Sequence, residues 1–257
     1  MYHFFVNTSD IADGRIRISG EDRFHAVNVL RLRKGEELLI SDDEGRDYHC
    51  LIDSFDDEAL YLSIKEELSG NHELPSEVWL FQGLPKADKM ELIIQKATEL
   101  GVSHIVPMVT KNIVSRPDEK KMASKLKRWQ AIALAAAKQS KRSMVPVIHE
   151  PLRFTEACEQ CADMDVAVMA YEDERGMENL CEAIVNFVPE RSIAVMIGPE
   201  GGFDPLELRL AKMKDILIVS LGDRILRTET AAIALLSMVM IRLEISKALL
   251  TDNGEGD

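Results

Sequence analysis

Two short segments near the C-terminus constrain this chain more than any other feature. Ile197-Gly198-Pro199-Glu200-Gly201-Gly202-Phe203 follows the apolar run that starts at Ser192. Leu221-Gly222-Asp223-Arg224-Ile225-Leu226-Arg227-Thr228-Glu229-Thr230-Ala231 follows the run that starts at Ile216. Short apolar runs bounded by turn residues predict buried strands. Between them Asp204 predicts a helix N-cap, Pro205 takes the first helical position, and Glu207 completes a capping box. Glycine-rich turns thus leave the C-terminal ends of two strands, where open α/β sheets bind ligands. Glycine lets backbone groups approach a ligand with no Cβ in the way. One such turn is equally well a plain βα connection. Two in succession, the second crowded with Arg, Thr and Glu beside an apolar helix, predict an active site.

The rest of the chain divides around residues 67–75, a polar linker. Residues 1–70 predict a small β-barrel or sandwich, with short strands at Arg15–Ser19, Glu37–Ser41, Asp47–Asp53 and Ala59–Ile64. Within them Glu21–Leu32 has a helical period through Phe24, Val27, Val29 and Leu30, then runs into Arg31, Arg33 and Lys34. With His25 these make a basic cluster in an acidic domain, although a lone His25 is as well explained by packing or capping. Residues 73–250 alternate strand and helix and predict an α/β domain. Its strands are read at Val78–Gln82, Val102–Val106 and Val166–Ala170, its helices at Lys86–Leu100, Glu119–Ser140 and Ala231–Leu249. The last helix carries Ile233, Leu235, Leu236, Met238, Val239, Met240 and Leu243, more directions than one sheet face covers, and predicts a homodimer. The acidic tail, 251–257, is expected to be disordered.

The 257 residues carry a net charge of −13, but unevenly. Residues 1–70 hold 8 basic and 16 acidic side chains, residues 71–150 hold 13 and 8, and residues 151–257 hold 10 and 20. Lys111 to Arg142 contains ten Lys or Arg against only Asp118 and Glu119. The helix there turns Leu126, Trp129, Ile132, Ala133 and Ala136 inward and Lys120, Lys121, Lys125, Lys127 and Lys138 mostly outward. Solvated faces normally intersperse acids, so this one, with Arg142, predicts phosphate binding, which depends on local charge. Nothing resembles a secretion signal or a membrane span. Four cysteines give no disulfide framework, and the Cys158-x-x-Cys161 pair lacks further ligands at zinc spacing. A cytoplasmic protein without a metal is expected.

Neither a GxxxxGK[ST] nor an early GxGxxG is present, which argues against a nucleotide triphosphate cradle and a Rossmann site. The two glycine segments instead resemble the signature of the SPOUT methyltransferases. They are most similar to the family that methylates N3 of a uridine in 16S ribosomal RNA. His25-Ala-Val-Asn-Val-Leu-Arg-Leu32, Gln95-Lys-Ala-Thr-Glu-Leu-Gly101 and Ala137-Lys-Gln-Ser-Lys-Arg142 share that likeness, which covers nearly the whole chain. His3 stands where the family often has Arg, and Lys138 where an acidic residue is common.

The resemblance implies a C-terminal α/β domain with a mostly parallel sheet and a deep trefoil knot, preceded by a PUA-like β-barrel. It implies S-adenosylmethionine as cofactor, held by Ala170 and Glu172, by Gly198, Pro199, Glu200 and Gly201, and by Leu221, Gly222, Ile225, Leu226 and Thr230. It gives His25, Arg31, Arg33 and Lys34 an RNA-binding purpose, with 16S RNA or the small ribosomal subunit as partner. Uracil N3 lies on the Watson–Crick edge, so the base must be unpaired or flipped. Arg227 or Arg224 can stabilise the charge that develops as N3 loses its proton, and Glu200 or Glu229 can accept that proton. Two other readings stay open: a SPOUT enzyme acting elsewhere, such as a ribose 2′-hydroxyl of transfer RNA, and a non-catalytic RNA-binding assembly factor.

Overall fold

Strict alternation builds the first sheet: in β3 (Arg15–Ser19) Ile16 and Ile18 are buried while Arg15, Arg17 and Ser19 face water. The computed structural model describes residues 1–69, 72–86, 88–113 and 119–252, and divides into two units. The first comprises Met1–Glu73 and Ala137–Met144. Its other strands are β1 (Tyr2–Phe5), β2 (Ile11–Ala12), β4 (Glu37–Ser41), β5 (Asp47–Phe55) and β6 (Ala59–Leu68). The order is β1-β4-β5-β6-β3-β2, antiparallel except for β1 on β4. No ladder joins β1 to β2 among the described residues, so the pairing is an open path. Phe4, Leu38, Ile40, Ile52, Leu60 and Leu62 fill the core.

Two sequence expectations fail in this unit. The helix read over Glu21–Leu32 is a short α1 (Gly20–Phe24) followed by a π-turn over His25–Val29. Ala26 and Leu32 are buried, but Phe24 and Val29, counted inward by the helical period, are exposed. A 3.6-residue period does not survive a wider turn. Residues Ala137–Met144, read as part of the second domain, belong to this unit. Arg142 explains why: it is buried, and its guanidinium is hydrogen-bonded to the Glu73 carboxylate. It is therefore structural here and presents no charge to RNA. Lys138 is likewise engaged, 2.9 Å from Asp22 and 5.0 Å over the Phe4 ring.

The second unit is a parallel sheet between two helical layers. Its strands are β7 (Val78–Gly83), β8 (His104–Val109), β9 (Val147–Ile148), β10 (Leu152–Arg153), β11 (Val166–Ala170), β12 (Ile193–Ile197) and β13 (Leu217–Val219). They run in the order β10-β8-β7-β12-β11-β13, with β9 beside β8, and every ladder is parallel. Strands buried on both faces need continuous apolar runs, and all five residues of β12 are buried. The helices are α2 (Lys89–Glu99), α3 (Glu119–Ser140), α4 (Phe154–Ala162), α5 (Glu178–Val185), α6 (Pro205–Met213) and α7 (Thr228–Asp252). Val78, Leu80, Val195 and Ile197 face α2, α5 and α7, while Phe81, Met169, Ala194 and Met196 face α4 and α6. Cys158 and Cys161 are buried on the inward side of α4, and burial pushes the Cys158 thiol up to about 12. Leu235, Leu236, Val239 and Leu243 of α7 are covered by their own chain, whereas Ile241, Ile245 and Leu249 are exposed. No helix among the described residues is long and apolar enough to cross a membrane. Residues 253–257 of the acidic tail lie outside the described residues.

A polar chain runs through the core of the first unit. Ser41 Oγ donates to Asp47, so it must accept from His3 Nε2 at 2.7 Å, and Ser143 Oγ donates to the other Asp47 oxygen at 2.6 Å. His3 Nδ1 is buried with no partner. Burial, with smaller contributions from Lys138 and His72 that outweigh part of the pull of Asp47, drops the His3 pKa from 6.5 to about 4. Between those values the unfolded chain binds more protons than the folded one, so stability rises with pH across that window. Acidification from 6.5 to 4 should therefore remove up to about 3 kcal/mol. Urea titrations of the native chain and His3→Gln across this range should show a flatter pH slope in the variant. Equal slopes would place the titration on another group.

Candidate functional site

In this sheet order the C-terminal ends of β7, β12, β11 and β13 are neighbours. The segments following β11, β12 and β13 therefore meet at one rim, where they bound a cleft of about 450 Å3. Ala170, Tyr171 and Glu172 line it from β11, Gly198, Pro199, Glu200 and Gly202 from β12, and Leu221, Gly222 and Arg224 to Thr228 from β13. The capping box at α6 forms as its sequence predicts. Asp204 accepts from the Leu206 N–H at 3.0 Å, and Glu207 accepts from the Asp204 N–H at 2.9 Å. That fixes the exit of the first glycine turn.

Close packing fixes its entry. A Cβ on Gly83, at the end of β7, would lie 2.6 Å from the Pro199 nitrogen and ring. Beside it the buried Gln82 amide donates to Thr228 Oγ1 at 2.9 Å and to the Gly83 carbonyl at 2.9 Å. Thr228 Oγ1 in turn donates to the Gly198 carbonyl at 2.6 Å. Gln82 and Thr228 join the segments that bound the cleft, and the sequence reading singled out neither. Gln82 reads as one polar residue in an apolar strand, and Thr228 hides in a turn full of hydroxyl and charged groups.

The third missed residue is Lys89, at the start of α2, whose ammonium lies 3.1 Å from both Glu200 and Glu229. Burial opposes the charge of Glu200. Hydrogen bonds from its own N–H, from Lys86 N–H and from Lys89 more than offset it and hold the carboxyl below the usual range. Burial of Glu229 is outweighed by its own N–H and by the charges of Lys89 and Arg227. Both carboxylates hold Lys89 above its ordinary value. They are thus firmly ionised and correspondingly weak proton acceptors.

Of the residues expected at a cofactor, Ala170, Glu172, Gly198, Pro199, Glu200, Leu221, Gly222, Ile225 and Leu226 line the cleft. Gly201 and Thr230 do not. A Cβ on Gly201 would strike the Asn112 carbonyl at 2.7 Å, so that residue faces a neighbouring loop. Gly202 borders the cleft instead, at φ +62, with Glu172 against its open side. Arg224 and Arg227 both line the cleft and are exposed. The expected RNA contacts fall outside it. His25, Arg31, Arg33 and Lys34 are exposed in the first unit, with Phe24 exposed beside them. Lys121, Lys125 and Lys127 are exposed on α3, while the side chain of Lys120 lies outside the described residues.

Comparison with known proteins bears on what such a cleft does. Residues 72–240 match the RNA methyltransferase domain family and residues 18–65 the RNA methyltransferase PUA domain family. Ribosomal RNA small subunit methyltransferase E of Bacillus subtilis (strain 168) is 36% identical over 231 residues, which cover 89% of this chain and 90% of that protein. A putative methyltransferase from Legionella pneumophila, solved with bound cofactor SAM, superposes with a TM-score of 0.81 at 29% identity, over 93% of this chain and 97% of that one. Ribosomal RNA small subunit methyltransferase E from Neisseria gonorrhoeae, solved bound to S-adenosyl methionine, gives 0.81 at 26% identity, over 94% and 97%.

The contact between Gly83 and Pro199 makes the rim sensitive to a single methyl. Gly83→Ala should destabilise the protein by roughly 1–3 kcal/mol, the usual penalty of overpacking. Denaturant unfolding should show a lower midpoint with an unchanged slope. A midpoint equal to that of the parent would mean that the turn yields without cost.

Proposed function

This chain belongs to the family of ribosomal RNA small subunit methyltransferase E, RNA methyltransferases with an N-terminal PUA domain. From that premise we propose that it transfers a methyl group from S-adenosylmethionine to N3 of a uridine in 16S ribosomal RNA. The observation that carries the reading is the cleft where three strand ends meet. Its volume of about 450 Å3 suits a cofactor, and Gly198 and Gly202 bring backbone to its wall. Ala170, Glu172, Gly198 and Leu221 to Leu226 would hold the cofactor, which supplies an activated methyl on a sulfonium.

The chain's own residues then have to present the base and manage one proton. As N3–H ionises, charge spreads to O2 and O4 of the uracil. Arg224 and Arg227, exposed at the mouth of the cleft, are suited to stabilise that charge. Glu200 and Glu229 are engaged by Lys89 and held acidic, which favours loss of the N3 proton to water at the open mouth of the cleft, with the resulting anion stabilised by the arginines, over its removal by a carboxylate. Substrate RNA is held by the exposed cations of α3 and by His25, Arg31, Arg33 and Lys34, with Phe24 available for stacking. We take the knotted path, a homodimer seated on the exposed Ile241, Ile245 and Leu249, and a cytoplasmic setting as parts of the same reading.

Incubation with S-adenosylmethionine and 16S RNA or small subunits, followed by mass spectrometry of digested nucleosides, should yield N3-methyluridine. A methyl on a ribose 2′-hydroxyl would favour the alternative target, and no transfer at all would favour an assembly factor. Arg227→Met should lower kcat by about 100-fold, the size of losing one charge-stabilising donor, with cofactor affinity retained; an unchanged kcat would remove it from the mechanism. Replacing Lys121, Lys125 and Lys127 together by Glu should weaken RNA binding and flatten its salt dependence. An unaltered salt slope would make that face ordinary solvated surface.

A further inference from the structure

Lys89 occupies the first position of α2. There the partial positive charge of a helix N-terminus disfavours a cation. Something outside the helix must therefore hold it, and two carboxylates do. Glu200 comes from the turn after β12, and Glu229 from the first turn of α7, which continues the segment after β13. One ammonium, 3.1 Å from each, is the only group among the described residues shown to contact both. The Lys86 N–H donates to Glu200 as well, at 3.1 and 3.3 Å, so the approach to α2 is fastened to the first turn twice. The three side chains are 30%, 22% and 15% exposed, which protects the contact from the screening that weakens surface pairs.

We propose that Lys89 is a positioning residue for the methyl-donor site, fastening the two cofactor turns to each other and to α2. The proposal rests on the reading that the cleft binds S-adenosylmethionine. Its physical basis is charge balance. Without the ammonium, two carboxylates converge on one point with no cation between them, and like charges at such range force either a protonation or a separation. Separation here moves the wall that carries Gly198 and Gly202 away from the wall that carries Leu221 to Leu226. Arg227 lends its charge to Glu229, but among the described residues no ion pair joins it to either carboxylate. Charge, more than side-chain shape, is what the position requires.

The test is calorimetric titration of S-adenosylmethionine into the intact protein and its Lys89→Met and Lys89→Arg variants, each checked for an unchanged melting transition. Lys89→Met should weaken binding by about tenfold or more, and Lys89→Arg should stay within about threefold of the parent. In turnover assays the KM for S-adenosylmethionine should rise with the Kd while kcat moves far less. Lys89→Met with parental affinity overturns the proposal. So does equal damage in both variants, which would make the charge irrelevant, or a loss confined to kcat. Should Lys89→Met fail to fold, Glu229→Gln removes one partner and leaves Lys89 paired with Glu200; parental affinity in that variant overturns the proposal equally. A parent protein that binds no S-adenosylmethionine fails the reading of the site itself, and that result appears before any variant is examined.

Discussion

The amide of Gln82, wholly buried at the end of β7, hydrogen-bonds to Thr228, whose hydroxyl passes a hydrogen bond to the Gly198 carbonyl. This short chain joins residues far apart in sequence and ties the two glycine-bearing segments together at their roots. In a buried setting each link is strong because water cannot compete, and each would be costly to leave unmade. The turns above it are open to solvent and rich in glycine, so their own backbone preferences do not determine where they sit. Gln82 sets the base of the cleft, and Gly83 lets Pro199 close against it. Lys89, which itself lines the cleft, acts on the same two segments. A site built from loops is thus held by groups contributed from a strand and a helix.

Much of the second unit was legible because its elements obey strong local rules. The strand at Val166–Ala170 and the helix at Glu119–Ser140 have the boundaries that their apolar patterns predict, and Asp204, Pro205 and Glu207 start α6 as their chemistry requires. Other edges drifted. The strand expected at Val102–Val106 runs from His104 to Val109, and the last helix begins at Thr228, before its apolar stretch. Neither edge is set by hydrophobicity: a parallel strand extends as far as its neighbour pairs, and a helix begins where its cap allows. β1 was not foreseen because it pairs in parallel with a strand far along the chain, a contact with no local signature.

The site was legible to the level of the segment but not of the side chain. Both glycine turns border the cleft, yet glycine content could not say which glycine does so. Gly201 and Gly202 are adjacent and chemically identical, and the left-handed backbone of Gly202 decides the direction each one faces. Arg142 shows the same limit for charge. It belongs to a run of cations, but its partner Glu73 lies in the linker, and only folding reveals that the pair is buried. Lys89 was passed over for the opposite reason: as an isolated cation at a helix start it carries no pattern.

His3 and Lys138 are electrostatic neighbours within the first unit. The Lys138 ammonium lowers the basicity of His3. An arginine at position 3 would set a permanent second cation beside Lys138 in a region already stripped of water, where like charges are expensive. A histidine held neutral keeps a hydrogen-bond donor for Ser41 without that charge, and Lys138 finds its counter-ion in Asp22. Residues 3 and 138 thus sit together without two like charges. They also shift where the unit can attract phosphate. With position 3 buried and uncharged and Lys138 paired, Arg31, Arg33 and Lys34 remain as exposed cations close together in sequence. In the proposed function their grouping on one short stretch after the π-turn would give RNA a point of attraction on this acidic unit.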